Sequence, residues 1–282
     1  MTIIKKLLII RHPKAKKYEH GESMDLLLQG EVQKLREDPG EYLKETFVIP
    51  QEVTPEQARF NHSERLRTFQ ACQAIAIGAF GLQYIPHDEI PGKTPDIIEV
   101  DNLPIFGYQG IRFSLDNGLS YRTPSINSRI HKEQGPVAVL KYEMRNPYLD
   151  QHEECKINPF LSKMIMAESA ASKAVKRLLA QPENMLEVLC SHSCQVEPAA
   201  MSLVVPDIRK MISQKGYVEP EVLDKIGGAF MERDYAEVTF CFDGAGKIGQ
   251  AVYERRVGSG TSAVTCARQE LDIQSILRNA DK

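Results

Sequence analysis

Ile3-Ile4-Lys5-Lys6-Leu7-Leu8-Ile9-Ile10-Arg11-His12-Pro13 is the stretch on which the fold turns. Its β-branched and leucine-rich run, Ile3–Ile10, reads as a strand buried on both faces, as the inner strands of a parallel sheet are. Proline at 13 cannot continue a strand ladder, and it biases His12 toward an extended backbone. The strand therefore delivers an arginine and a histidine at its carboxyl end, the edge of an open α/β sheet where ligands gather. A second stretch does the same far along the chain. Met185–Cys190 is an apolar strand candidate that ends in Ser191-His192-Ser193.

Working outward, residues 24–38 read as a helix with Met24, Leu27, Leu28, Val32 and Leu35 along one side, stopped by Asp38-Pro39-Gly40. Thr46–Ile49 is a second short strand candidate. Ser63 is a candidate N-cap for a helix through Phe80, with Gly81 as its breaker. Pro159–Ala180 has the spacing of an amphipathic helix, and Pro198–Val205 is a further helix candidate. Ala236–Phe242 and Lys247–Arg255 flank Asp243-Gly244-Ala245-Gly246, a hairpin signal. From Pro86 to Pro159 the pattern is irregular and turn-rich, with short elements near Pro104–Leu115 and Val137–Tyr142; it reads as an inserted cap over about 91–158. Strand and helix alternate at both ends, which predicts an α/β fold of three layers. A mostly parallel central sheet would be flanked by helices in a single domain over 1–282.

Composition narrows the functional classes. With 42% hydrophobic and 26% charged residues, 282 residues build a core without disulfides or metals. The net charge of −3 gives no electrostatic ground for a nucleic-acid or anionic-membrane partner. The longest apolar run near the N-terminus, Leu7–Ile10, is far shorter than a secretory leader or a membrane span. Six cysteines then read as free thiols of a reducing compartment, so a cytoplasmic protein is expected. In that setting the sequon Asn61-His62-Ser63 carries no weight. Nothing fixes the oligomeric state.

Chemistry concentrates where elements end. Arg11 and His12 follow the first strand, Arg67 opens the helix after Ser63, and His192 follows the later strand. Two imidazoles and two guanidiniums in one place would make a pocket for a tetrahedral oxyanion, since arginine offers a planar fork of donors. A neutral ring nitrogen of histidine can also attack phosphorus. Each residue has a bland reading too: a solvated loop for Arg11-His12, a satisfied core histidine for His192, an ion pair with Glu64 for Arg67. Lys14, Lys16 and Lys17 read as a wet face. Gly244-Ala245-Gly246-Lys247-Ile248-Gly249 spells a dinucleotide fingerprint, but it falls in a hairpin without the helix that motif needs. Cys190, His192 and Cys194 alternate as metal ligands could, yet no second cysteine pair completes a structural zinc set. Cys194 beside the pocket is a candidate oxidation-sensitive thiol.

Taken in order, four stretches carry a resemblance: Ile9-Ile10-Arg11-His12-Pro13, Leu27-Leu28-Gln29-Gly30-Glu31-Val32-Gln33, Ser63 through Gln70, and Ser191-His192-Ser193. Together with the closing hairpin, they resemble the motifs of the histidine phosphatase superfamily, also called phosphoglycerate-mutase-like, over roughly 3–90 and 184–256. The resemblance implies metal-independent hydrolysis of phosphomonoesters, with no cofactor. His12 would be the nucleophile that forms a phosphohistidine, and Arg11, Arg67 and His192 would bind the phosphoryl oxygens. The family's acid is often a glutamate some two dozen residues after the second arginine. Glu89, 22 residues past Arg67, is the acid expected here, with Asp88 beside it and Glu99 and Asp101 further on. The implied substrate is a phosphorylated small molecule or a phosphoprotein. Phosphoglycerate-mutase-type transfer, or a catalytically inactive homologue that binds a phosphate ligand, are the alternatives. Pro13, Glu64-Arg65 and Ser193 depart from the family pattern, which expects Gly or Ala, Pro-Leu, and Gly at those places.

Overall fold

A run of four apolar residues such as Leu7–Ile10 can hide every side chain only if both faces of its strand are covered. A computed structural model describes residues 3–12, 53–63, 66–81, 106–108, 111–119, 125–147, 160–232, 234–243, 246–257 and 264–280, and these form such a sandwich. The strands are β1 (Ile4–Arg11), β2 (Ala58–His62), β3 (Phe106–Tyr108), β4 (Ile111–Leu115), β5 (Met185–Ser191), β6 (Tyr235–Phe242), β7 (Ile248–Val257) and β8 (Val264–Glu270). They make one sheet in the order β3-β4-β2-β5-β1-β6-β7-β8. The neighbours β4, β2, β5 and β1 run parallel, and with β7 five of the eight strands share one direction.

Alternation along the strands sorts the core into two halves. Leu7 and Ile9 of β1 and Leu189 of β5 face one side, with the helices α2 (Ser125–Gln134), α3 (Pro136–Arg145), α4 (Phe160–Ala180), α5 (Val196–Val204), α6 (Ile208–Lys215), α7 (Glu221–Lys225) and α8 (Ile273–Ala280) over that part of the molecule. Leu8, Ile10, Leu186, Val188 and Cys190 face the other side, against Phe69, Cys72 and Ile75 of α1 (Leu66–Phe80). Leu7 through Ile10 are at most 1% exposed, and each such side chain contributes about 1.5–3 kcal/mol of burial. The three-layer α/β architecture expected from the sequence is the one observed.

Several elements differ from expectation. β2 falls where no strand was expected, because Arg59 and Asn61 interrupt its apolar pattern. Within the span 91–158, β4 pairs with β2 and lies in the sheet itself, while α2 and α3 join the helical layer. The described part of the helix expected after Ser63 starts at Leu66, residues 64 and 65 lying outside the described residues, and Ser63 bonds Thr68, hydroxyl to hydroxyl at 3.0 Å. Gly81 at φ +63° closes that helix in the left-handed conformation glycine favours. α5 starts at Val196, two residues early, with Pro198 in a first turn that tolerates proline. The Asp243 turn is a hairpin: Lys247 N–H donates to Asp243 Oδ1 at 2.8 Å. β8 and α8 were not expected, although α8 carries Ile273, Ile276 and Leu277 at helical spacing behind the capping Asp272. The expected helix 24–38, the strand Thr46–Ile49 and the lysines 14, 16 and 17 lie outside the described residues. No helix among those described is long and apolar enough to cross a membrane.

One polar lock fixes the centre of the sheet. Glu187 of β5 is fully buried and takes both guanidinium bonds of Arg177 from α4, at 2.7 and 2.8 Å, and the amide of Asn61 from β2 at 2.8 Å. Removing this cation leaves the buried carboxylate with Arg59, 4.0 Å away and not hydrogen-bonded to it, as its remaining countercharge. Arg177→Met is expected to lower unfolding free energy by about 3 kcal/mol in urea titrations, the scale of a broken buried pair.

Candidate active site at the carboxyl ends of the central strands

Parallel register sets the site. β5 lies between β2 and β1, with Ser191 level with Arg11 and Cys190 level with His62. The residues just past these levels, His12, Ser63 and His192, therefore share one edge of the sheet. His12 N–H donates to Ser191 O at 3.0 Å, which continues the ladder one step beyond the strands. The rings of His12 and His192 stand edge to face with centroids 6.0 Å apart, although 180 positions separate them in the chain. Both residues are buried, at 5% and 3% exposure.

Arg11 points to the face of Leu7 and Ile9, as alternation requires. There its Nη1 donates to Phe230 O at 2.5 Å, while the buried Nε makes no hydrogen bond with the described residues. Arg67 sits half-buried in the first turn of α1, the helix that follows β2 on the opposite face. Glu89, Asp88, Glu99 and Asp101 lie outside the described residues.

The turn after β5 holds His192 from several sides. The His192 carbonyl accepts the N–H groups of Gln195 at 3.2 Å and Val196 at 3.1 Å. Ser191 Oγ donates to Leu119 O, and Gln195 Nε2 donates to Gly118 O, both at 2.6 Å, so the loop after β4 braces the turn. Glycine at 118 lets this loop lie against α4, because a Cβ there would stand 2.5 Å from Met166 O. The left-handed residue of the turn is Cys194, at φ +64°. Ser193 avoids positive φ, so serine there carries no backbone strain. Cys194 N–H donates to Glu197 Oε2 at 2.7 Å.

Two participants had no place in the sequence reading. His62 ends β2, with its Nδ1 2.8 Å from Ser63 O. A carbonyl only accepts, so Nδ1 carries the proton there. Its ring also meets Phe69 edge to face at 5.1 Å. Its signal was the sequon itself, a polar triplet ending an unrecognised strand. The other is the segment before β6. Arg255, fully buried on β7, bonds Asp234 Oδ2 at 2.7 Å and stacks on the Phe230 ring at 3.8 Å. That fixes the carbonyl on which Arg11 rests. Among the described residues no three His, Cys, Asp or Glu groups converge as a metal set. Cys190 and Cys194 are buried.

No family model and no curated protein sequence matches this chain. Solved structures similar to it include two phosphatases and a phytase. A mycobacterial glucosyl-3-phosphoglycerate phosphatase is 10% identical with a TM-score of 0.48, over 95% of this chain and 97% of that one. A phosphoserine phosphatase of Entamoeba histolytica, in complex with 3-phosphoglyceric acid, is 11% identical with a TM-score of 0.37, over 97% and 100% of the chains. A phytase of Hafnia alvei is 9% identical with a TM-score of 0.41, over 99% and 96%. The likeness is distant, and the chemistry of the site is read from its own residues.

Cys194 corrects one expectation. Burial first, and then the charges of Glu143 and Glu197, push its thiol well above the ordinary range. A raised thiol stays protonated at pH 8, and the thiol form is a poor nucleophile. Native protein treated with iodoacetamide at pH 8 should therefore be alkylated at exposed Cys241 and spared at Cys194, with Cys194 labelled only after unfolding. Peptide mass spectrometry reads both sites.

Proposed function

We propose that the carboxyl-end site hydrolyses phosphomonoesters through a phosphohistidine, as a metal-independent phosphatase of the histidine phosphatase type. The observation that carries the reading is the meeting of the His12 and His192 rings at 6.0 Å, just past the ends of the adjacent parallel strands β1 and β5. One phosphoryl group can touch both rings, since an attacking atom stands about 3–3.5 Å from its target and a hydrogen bond spans about 2.6–3.2 Å.

A ring nitrogen of His12 attacks phosphorus in line with the ester oxygen. The P–N bond forms as the P–O bond breaks, and the leaving alkoxide takes a proton from a carboxylic acid, the role expected of Glu89. Water then attacks the phosphohistidine and gives its proton to the same group, now a carboxylate. Inorganic phosphate leaves, and His12 returns neutral. Arg11, Arg67 and His192 stabilise charge spread over the equatorial oxygens, which is the main catalytic task in a loose phosphoryl transfer. The substrate class is a phosphorylated small molecule or a phosphoprotein.

The test is hydrolysis of an aryl phosphate in the presence of a chelator by wild type and His12→Ala. Wild type is expected to turn over, and the variant to lose about two decades or more in kcat, a barrier increase of about 2.7 kcal/mol. Equal turnover by both proteins would place the activity elsewhere. Phosphate binding without turnover by wild type would make the chain a binding homologue.

A further inference from the structure

Glu197, the second residue of α5, has no part in the scheme above, yet its carboxylate joins the two halves of the site. It is 1% exposed, and both of its oxygens are committed. Oε2 accepts the N–H of Cys194 at 2.7 Å, and Oε1 accepts the N–H of Phe230 at 2.9 Å. The first donor belongs to the turn that His192 opens. The second belongs to the segment before β6. The carbonyl of that same Phe230 receives Arg11 Nη1 at 2.5 Å. A continuous set of bonds thus runs from the His192 turn through Glu197 and Phe230 to Arg11.

The surroundings leave Glu197 as the adjustable piece of this connection. Downstream, the Phe230 segment is pinned by Met231 N–H on Asp234 Oδ2 at 2.6 Å, and by Arg255 on Asp234 and over the Phe230 ring. On the other side, the turn is braced by Ser191 and Gln195 against the 118–119 carbonyls. Where the turn faces the Phe230 segment, one carboxylate accepts an N–H from each, while β1 links the two separately through His12 N–H to Ser191 O and Arg11 N–H to Asp234 O. Any acceptor could satisfy one buried donor. A carboxylate satisfies two on different segments and also places negative charge near Arg11. Burial pushes the Glu197 carboxyl up, and the backbone N–H bonds together with the positive charge of Arg11 offset part of that rise.

We propose that Glu197 is a positioning residue, whose buried carboxylate fixes the spacing of His192 and Arg11 by bonding the Cys194 and Phe230 N–H groups at once. The proposal rests on the reading of this site as a phosphate site. Glu197→Gln keeps the shape but offers one acceptor oxygen, turns an amide toward the other donor, and removes the charge facing Arg11.

Inorganic phosphate titrated calorimetrically into both proteins, with kcat and KM for an aryl phosphate and thermal melts alongside, reads the effect. Glu197→Gln is expected to bind phosphate about tenfold more weakly and to lose about tenfold in kcat while its fold persists. A role confined to stability would lower the melting midpoint and leave the folded variant's phosphate affinity and kcat at wild-type values. That result overturns the proposal and leaves the phosphate-site reading standing. Wild type that neither binds phosphate nor hydrolyses the ester overturns both together. Should the glutamine variant not fold, Glu197→Asp keeps the charge but is one methylene too short to span both donors. It should show a loss in the same direction, and wild-type values in folded Glu197→Asp would equally overturn the proposal.

Discussion

Everything at the site depends on the parallel seating of β5 between β1 and β2. That pairing alone makes neighbours of Arg11-His12, His62-Ser63 and Ser191-His192. Apolar burial drives the pairing but is indifferent to register, since Leu, Ile and Val exchange at little cost. Glu187 is not indifferent. A slip by one residue would turn its carboxylate from Arg177 and Asn61 into the apolar face lined by Phe60, Phe69 and Phe113, where breaking the pair costs about 3–5 kcal/mol. A slip by two keeps the face but carries Glu187 about 6.6 Å along the strand, beyond the Asn61 amide. A single buried carboxylate thus decides which residues reach the sheet's edge.

The other buried charges follow the same logic nearer the site. Lys163 pairs with Glu143 at 2.5 Å, and Arg255 with Asp234 at 2.7 Å, nearly all of these groups out of water. Such pairs add little stability over apolar groups of equal volume, because desolvation consumes most of the Coulomb gain. What they supply is geometry. Asp234 O accepts the Arg11 N–H at 3.0 Å while its side chain holds Arg255, so backbone and side chain together place the first strand's end.

How much of this was legible in the sequence depends on how local the cause was. β1, β5 and α4 declare themselves through long apolar runs or helical periodicity, and Arg11, His12 and His192 were found because each directly follows such an element. β2 hid because Ala58-Arg59-Phe60-Asn61-His62 places buried polar groups where a core strand should be apolar. Only tertiary partners, Glu187, Val188 O and Arg177, make Asn61 acceptable inside. His62 was lost with its strand. β8 is an edge strand whose side chains are mostly exposed, so it has no apolar face to read. Glu197 could not be found from spacing, since its meaning lies in a Phe230 N–H that is 33 residues away.

The layering also determines how the site must be approached. Arg11 leaves the sheet on the α5 side, while His62 and Arg67 belong to the α1 side. His12 and His192 lie past the strand ends, between the two. The connection leaving β2 enters α1 on one face, and the connection leaving β5 enters α5 on the other. Chains diverging in this way from adjacent parallel strands part at the carboxyl edge, which is where open α/β sheets admit ligands. Groups on opposite faces of a sheet can meet one small anion only beyond the ends of its strands. The β1 ladder holds the backbones of Arg11 and His12 against Ser191, and beyond it the His192 turn and the Arg11 guanidinium are set by the Glu197 carboxylate and the Phe230 backbone beneath them.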